Sequence, residues 1–171
     1  MFNSFSTLQP KSWFALYTKA RHEKKVNEAL AGKNLEAFLP LRNVINRWKD
    51  RKKEIQLPLF PGYLFVRMEP DDRFNVLNTR GVVRILGNKG NPMPVPVEEI
   101  EATKTLLESG LRYEPFSYLT EGKEVVVIRG PLEGVGGRIL QVRGATRLII
   151  SVNLIQRSVS VEVDVSDIEL A

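Results

Sequence analysis

Cysteine is absent from the 171 residues. That excludes a disulfide framework, thiol catalysis and cysteine-held metal, and it agrees with a reducing cytoplasm. Histidine occurs once, as His22, and a single imidazole inside a basic segment is more often solvated than catalytic. No apolar run approaches the ~20 residues that a membrane-crossing helix needs. Residues 1–11 lack the charged start and apolar stretch of a signal peptide and are expected to form a loose tail. No phosphate-binding glycine loop, metal-ligand spacing or nucleophile–base set stands out. The paired carboxylates Asp71-Asp72 and Glu98-Glu99 each fall at an expected helix start, where negative charge offsets the helix dipole. These absences argue against an enzyme, a metal site, a cofactor and a membrane protein.

What is present is positive charge, unevenly spread. The formal net charge is +5. Residues 1–110 hold 18 Lys and Arg against 12 Asp and Glu, whereas residues 111–171 hold 7 against 8. Residues 11–53 alone hold 12 basic and 4 acidic side chains. A two-part chain whose first part meets a polyanion is the expectation, with a solvated basic face as the plain alternative.

The stretch Leu57 to Arg67, LPLFPGYLFVR, organises the first part. Pro61 lacks a ladder donor and belongs at a strand entry. Gly62 permits a φ-positive turn. Tyr63 to Val66 then read as a strand, with Tyr63 and Phe65 on one face and Leu64 and Val66 on the other. Either the strand is wholly core, or Phe60 and Tyr63 form an exposed aromatic anchor for a partner protein.

Before it, Trp13 to Tyr17 reads as a first strand. A helix is expected over 21–31, with Val26, Ala29 and Leu30 inward and Arg21, Lys24 and Lys25 sharing another face. A strand is expected from Leu35 to Asn46, with Pro40 marking an edge or bulge. The charge run Arg47 to Lys53 reads as a hairpin tip. Trp48 within it is expected to fold back onto the protein rather than to stack on a base. A strand returns over 54–57. Further on come a short helix over 73–79, a strand over 82–87, a proline-rich loop over 88–96 and a helix over 97–109 with Ile100, Thr103, Leu106 and Leu107 inward. Residues 110–120 show no period and read as a linker. From Glu121 onward, short β-rich runs alternate with glycine turns, as in a small barrel. Val159 to Val165 alternate with Ser160, Glu162 and Asp164, which predicts one wet face. The fold class is therefore α+β: a sheet with helices, then an all-β barrel.

Specific motifs sharpen this. Gly122 to Val127, followed by Gly130-Pro131-Leu132-Glu133-Gly134-Val135-Gly136-Gly137-Arg138-Ile139, resembles a KOW motif inside an SH3-like barrel. Trp13 to Tyr17 ahead of a basic helix, Phe60-Pro61-Gly62-Tyr63-Leu64-Phe65-Val66, and Thr79-Arg80-Gly81-Val82 resemble, in that order, the NusG N-terminal (NGN) domain. Together they resemble a NusG-family transcription elongation and antitermination factor, similar in finer detail to the specialised RfaH, UpxY and LoaP groups. Gly62 departs from RfaH, which carries asparagine there. The resemblance implies a flexible tail over 1–11, an NGN domain over 12–109, a linker over 110–120 and a KOW barrel over 121–171.

It also implies roles. Tyr17, Phe60 and Tyr63, supported by Phe65, would dock on the clamp helices of RNA polymerase. Lys19, Lys25 and Arg80, with Arg21 and Lys24 beside them, would contact non-template DNA. A short helix near Arg73, Phe74 and Asn75 would face the other side of the polymerase cleft. Leu154 and Ile155 are either exposed barrel contacts or core. The barrel would recruit a small-subunit ribosomal protein, Rho or another elongation factor. The factor would act as a cytoplasmic monomer and suppress pausing or termination. A ribosome-associated or general RNA-binding KOW protein is the alternative, which the near-neutral barrel disfavours. The clustered glycines and valine-rich last strand oppose a helical form of the second part, so a permanent barrel without strong autoinhibition is expected.

Overall fold

The computed structural model describes residues 10–171. Apart from its last two residues, the expected tail 1–11 lies outside the described residues. The first part runs β1 (Ser12–Thr18), α1 (Glu23–Gly32), β2 (Glu36–Phe38), β3 (Leu41–Trp48), β4 (Arg51–Pro58), β5 (Tyr63–Met68), α2 (Arg73–Leu77), β6 (Val82–Ile85), β7 (Gly87–Asn88), β8 (Asn91–Pro92), β9 (Pro94–Val95) and α3 (Val97–Glu108). Its main sheet has the antiparallel order β2-β5-β1-β6, and β9 pairs with β1.

Alternation along β1 and β5 divides this sheet into two apolar faces. Ala15 lies opposite Phe65, Leu16 opposite Leu64, and Tyr17 opposite Tyr63. Phe14, Leu16, Leu64 and Val66 pack with Val26 and Leu30 of α1 and Val76 of α2. Trp13, Ala15 and Phe65 pack on the opposite side with Ile100 and Leu106 of α3. Both faces are covered, which is why Tyr63 to Val66 reads as a continuous apolar run rather than an alternating one.

Several boundaries move for local reasons. Arg21 takes φ +61°, so α1 begins only at Glu23 and Arg21 leaves the helix face assigned to it. The strand expected over 35–46 divides at Leu39-Pro40 into β2 and β3. The hairpin β3–β4 is longer than expected, eight registered pairs from Leu41–Pro58 to Trp48–Arg51. Trp48 at its end is 62% exposed, so the expected folding back does not occur. The hairpin is a two-stranded sheet of its own, and the residues at its tip are exposed. The proline-rich loop over 88–96 contains the end of β7 and all of β8 and β9.

Gly62 has φ +86°, and a Cβ there would meet the Tyr17 ring at 3.2 Å. The buried Glu23 carboxylate accepts a hydrogen bond from the Gly62 amide at 2.9 Å, tying the turn before β5 to α1. Gly62→Ala is expected to cost about 1–2 kcal/mol from left-handed strain, plus displacement of Tyr17. Gly62→Asn should cost less, because asparagine tolerates this region. Urea unfolding of both variants checks the order.

The second part contains β10 (Tyr113–Phe116), β11 (Lys123–Val127), β12 (Gly136–Val142), β13 (Ala145–Val152), β14 (Arg157–Glu162) and β15 (Ile168–Leu170). These form one antiparallel sheet, β10-β14-β13-β12-β11-β15, around Val125, Val127, Leu148, Ile150, Val159 and Val161. Strand β10 lies within the stretch expected to be a linker. It is an edge strand, so Pro115 is tolerated there. The expected wet face is wet at Glu162 and Asp164, which are exposed, but dry at Ser160, which is buried, as is Ser158 before it. Ser160 lies opposite Ile149, on a face of the sheet that α3 approaches. Ser158 and Ser151 share a hydroxyl hydrogen bond of 2.6 Å. No helix of the described residues is long and apolar enough to cross a membrane.

Candidate functional site

Aromatic rings form a row across the face of the main sheet that packs on α3. Trp13 meets Phe38 edge-on at 6.5 Å, and Phe38 stacks on Phe65 at 6.1 Å. Tyr17 and Tyr63 meet at 5.4 Å. Their strand register produces this row, because opposed residues share a face. Cations cap it from three separate elements. Lys104 of α3 lies 5.0 Å from the Trp13 ring and 5.3 Å from Phe38. Arg84 of β6 lies 5.8 Å from Tyr17. Arg157 of β14 lies 5.5 Å from Tyr63.

Of the two readings of the Leu57–Arg67 stretch, core packing holds for Phe60 and Phe65, and an open ring is found only at the Tyr17 end. Phe60 is 3% exposed and Phe65 0%. Phe65 is sealed by its stack with Phe38 beneath α3. Phe60 belongs to the apolar cluster that runs from α3 into the barrel. Tyr63 is half-buried, with Arg157 over it. Tyr17, at 38% exposed, is the open end of the row. The second part is a β-structure, as expected, and it covers part of this face. Ile155 is buried and Leu154 half-buried against the same cluster, so core packing accounts for both.

The barrel is held by polar contacts as well. The Asn153 side-chain amide donates to Glu99 Oε1 at 2.6 Å, and its backbone N–H donates to Oε2 at 3.3 Å. This seats the turn after β13 against α3.

Lys19, Arg21, Lys24, Lys25 and Arg80 are all exposed, and none forms an ion pair among the described residues. The Lys19 amide donates to the Gly81 carbonyl at 2.8 Å, which brings the β1–α1 turn beside Arg80. Lys24 Nζ donates to the Gln56 carbonyl at 2.8 Å, linking α1 to the hairpin base. Between them lies a cleft of about 540 Å³ lined by Tyr17, Arg21, Lys24, Arg42, Leu57 and Gly62, among others. Phe74 of α2 is exposed. The described residues include no group of three or more acidic or histidine side chains placed to hold a metal.

The family model described as "Transcription termination factor nusG" matches residues 11–104. The chain belongs to the NusG family. It is 30% identical to the transcription termination/antitermination protein NusG of Lactococcus lactis, over 93% of this chain and 92% of that protein. It is also 30% identical to NusG of Thermus thermophilus, over 91% of this chain and 96% of that one. A solved structure described as "Domain interaction in Thermotoga maritima NusG" shares the fold, with a TM-score of 0.56 and 23% identity over 94% of this chain and 97% of that one. NusG-family proteins are transcription factors without catalytic activity, and this chain is one of them.

Sequence reasoning missed Arg84, Lys104, Asn153 and Arg157 at this site, and read Glu99 only as charge at a helix start. Each acts across a long sequence separation, and no local spacing signals such a pairing. Glu99 has a further consequence. Burial pushes its carboxyl above the ordinary value of 4.5, partly offset by the Asn153 hydrogen bonds and assisted by Glu98. A carboxyl raised in the folded chain binds its proton more tightly there than in the unfolded chain, so its contribution to folding is fully present below 4.5 and is lost as pH rises through the raised value. Glu99→Gln keeps an acceptor but cannot titrate. The Asn153 side-chain amide resonance should follow pH in the unaltered chain and stay flat in the variant.

Proposed function

We propose that this chain is an elongation and antitermination factor that docks on the clamp helices of RNA polymerase and steadies the non-template DNA strand, so suppressing pausing or termination. Tyr17 and Tyr63 make the primary contact, with Phe60 joining once the barrel moves and Phe65 supporting from beneath. Aromatic rings give large contact area at low entropic cost, and helical ridges offer an apolar counterpart. Lys19, Arg21, Lys24, Lys25 and Arg80 meet the phosphates of the exposed DNA strand, positioning it without reading its sequence.

One observation carries this reading: an aromatic row with its Tyr17 end open lies beside basic side chains that lack acidic partners. Because Arg157 covers Tyr63, the barrel and the clamp compete for one face, and polymerase shifts the population toward the separated state. We take the working units as residues 12–109 and 121–171, with β10 joining the second. The separated barrel then recruits a second partner, of which a small-subunit ribosomal protein or Rho is the candidate. The factor acts in the cytoplasm.

In vitro transcription on templates with defined pause sites tests the proposal. The purified chain should shorten pauses and co-elute with polymerase. Unchanged pausing without co-elution, alongside tight salt-dependent RNA binding, would instead favour the ribosome-associated reading.

A further inference from the structure

The β3–β4 hairpin segregates its side chains in a way the proposed function does not use. Opposed residues share a face, so Arg42 with Leu57, Val44 with Ile55, Asn46 with Lys53, and Trp48 with Arg51 lie on one side. That side carries no carboxylate; Glu54 lies on the other and Asp50 at the tip. Asn46, Trp48, Arg51 and Lys53 are all exposed. Neither Arg51 nor Lys53 forms an ion pair among the described residues. An indole at 62% exposure between free cations costs solvation and gives the fold nothing in return.

We infer that this hairpin face binds unpaired DNA, with a base stacked on Trp48 and the flanking phosphates on Arg51 and Lys53. A paired duplex keeps its base faces stacked on one another, so an exposed indole finds its match in a single strand. Continuity names the strand. Arg42, at the foot of the same hairpin face, lines the cleft shared with Tyr17, Arg21 and Lys24. From Arg42 to Trp48 the ribbon extends roughly 20 Å at ~3.4 Å per residue. A strand held at the α1 turn thus continues up the hairpin to its tip. The choice of DNA over RNA rests on the proposed non-template contact; the stacking site itself does not.

The chain contains two tryptophans. Trp13 is 6% exposed, so base stacking at the hairpin reads out as quenching of the Trp48 fluorescence alone. The full chain is titrated with an oligothymidylate of about 12 nucleotides, within the span that single-strand sites cover, unlabelled for the quenching and fluorescein-labelled for the affinities read by anisotropy. Binding is expected to quench Trp48. Trp48→Ala should weaken affinity roughly tenfold, and Trp48→Phe should restore most of the loss. Arg51→Gln with Lys53→Gln should lower the slope of log affinity against log salt by about 1.4. No binding, binding without quenching, or an unaltered affinity for Trp48→Ala overturns the inference. So does equal or tighter binding of the matching RNA oligomer or of the duplex. Lys24→Gln with Lys25→Gln separates the two readings. If that pair loses affinity and Trp48→Ala does not, the hairpin inference fails and the α1 contact stands; the reverse pattern sinks the α1 contact alone.

Discussion

On immobilised RNA polymerase, the chain carrying Tyr17→Ala and Tyr63→Ala is expected to be retained about 30-fold more weakly than the unaltered chain. A buried aromatic anchor contributes about 2 kcal/mol or more, and ~1.4 kcal/mol is tenfold. The two rings touch at 5.4 Å, so their losses overlap rather than add. Phe60→Ala is a poorer probe because Phe60 is core, and its removal would confound binding with stability. Tyr63→Ala also deprives Arg157 of its ring and loosens the barrel, which by itself would favour docking. A net loss therefore requires that polymerase uses the rings. Arg157→Ala, which uncovers Tyr63 and leaves both rings in place, should bind more tightly than the unaltered chain. Equal retention of the double variant, with its circular dichroism unchanged, would refute the docking face.

Phe65→Ala is expected to destabilise the chain by about 3–5 kcal/mol, against a total of roughly 5–15 kcal/mol for an ordinary domain. Phe65 is fully buried, stacks on Phe38 and lies opposite Ala15. Alanine beside alanine leaves a cavity that rigid neighbouring strands cannot close. A urea titration followed by circular dichroism measures the shift in midpoint. By the same logic Trp48→Ala, at an exposed tip, should move stability by no more than ~0.5 kcal/mol. A loss below ~1 kcal/mol for Phe65→Ala would mean that the face under α3 is far looser than its packing indicates.

The masking of Tyr63 gives these two results a common meaning. The apolar cluster that seals Phe60 extends into the barrel, so under the proposed function the docking surface and the interior would be the same residues in different states of cover. Arg157 and Asn153 are the polar fastenings of that cover, and Glu99 makes one of them responsive to pH. A face able to be both core and docking surface must be held by contacts weak enough to exchange, and cation–π and exposed hydrogen-bond contacts of this kind are.

Much of this protein follows from its sequence alone. Apolar period, proline and glycine placement, and the motifs around Trp13, Pro61, Gly81 and Gly130 determined the α+β class, the order of most elements and the family. These are local signals, and local backbone chemistry reads them. The inward positions of α3 were equally legible, because helical spacing depends on nothing distant. Tertiary structure alone decided that β10 lies inside the supposed linker, that Ser160 is dry, that Trp48 stands in solvent and that the barrel covers Tyr63. Each of these depends on what a second segment, many residues away, packs against. Strand alternation tells which side chains share a face, but only the partner surface determines whether that face meets water.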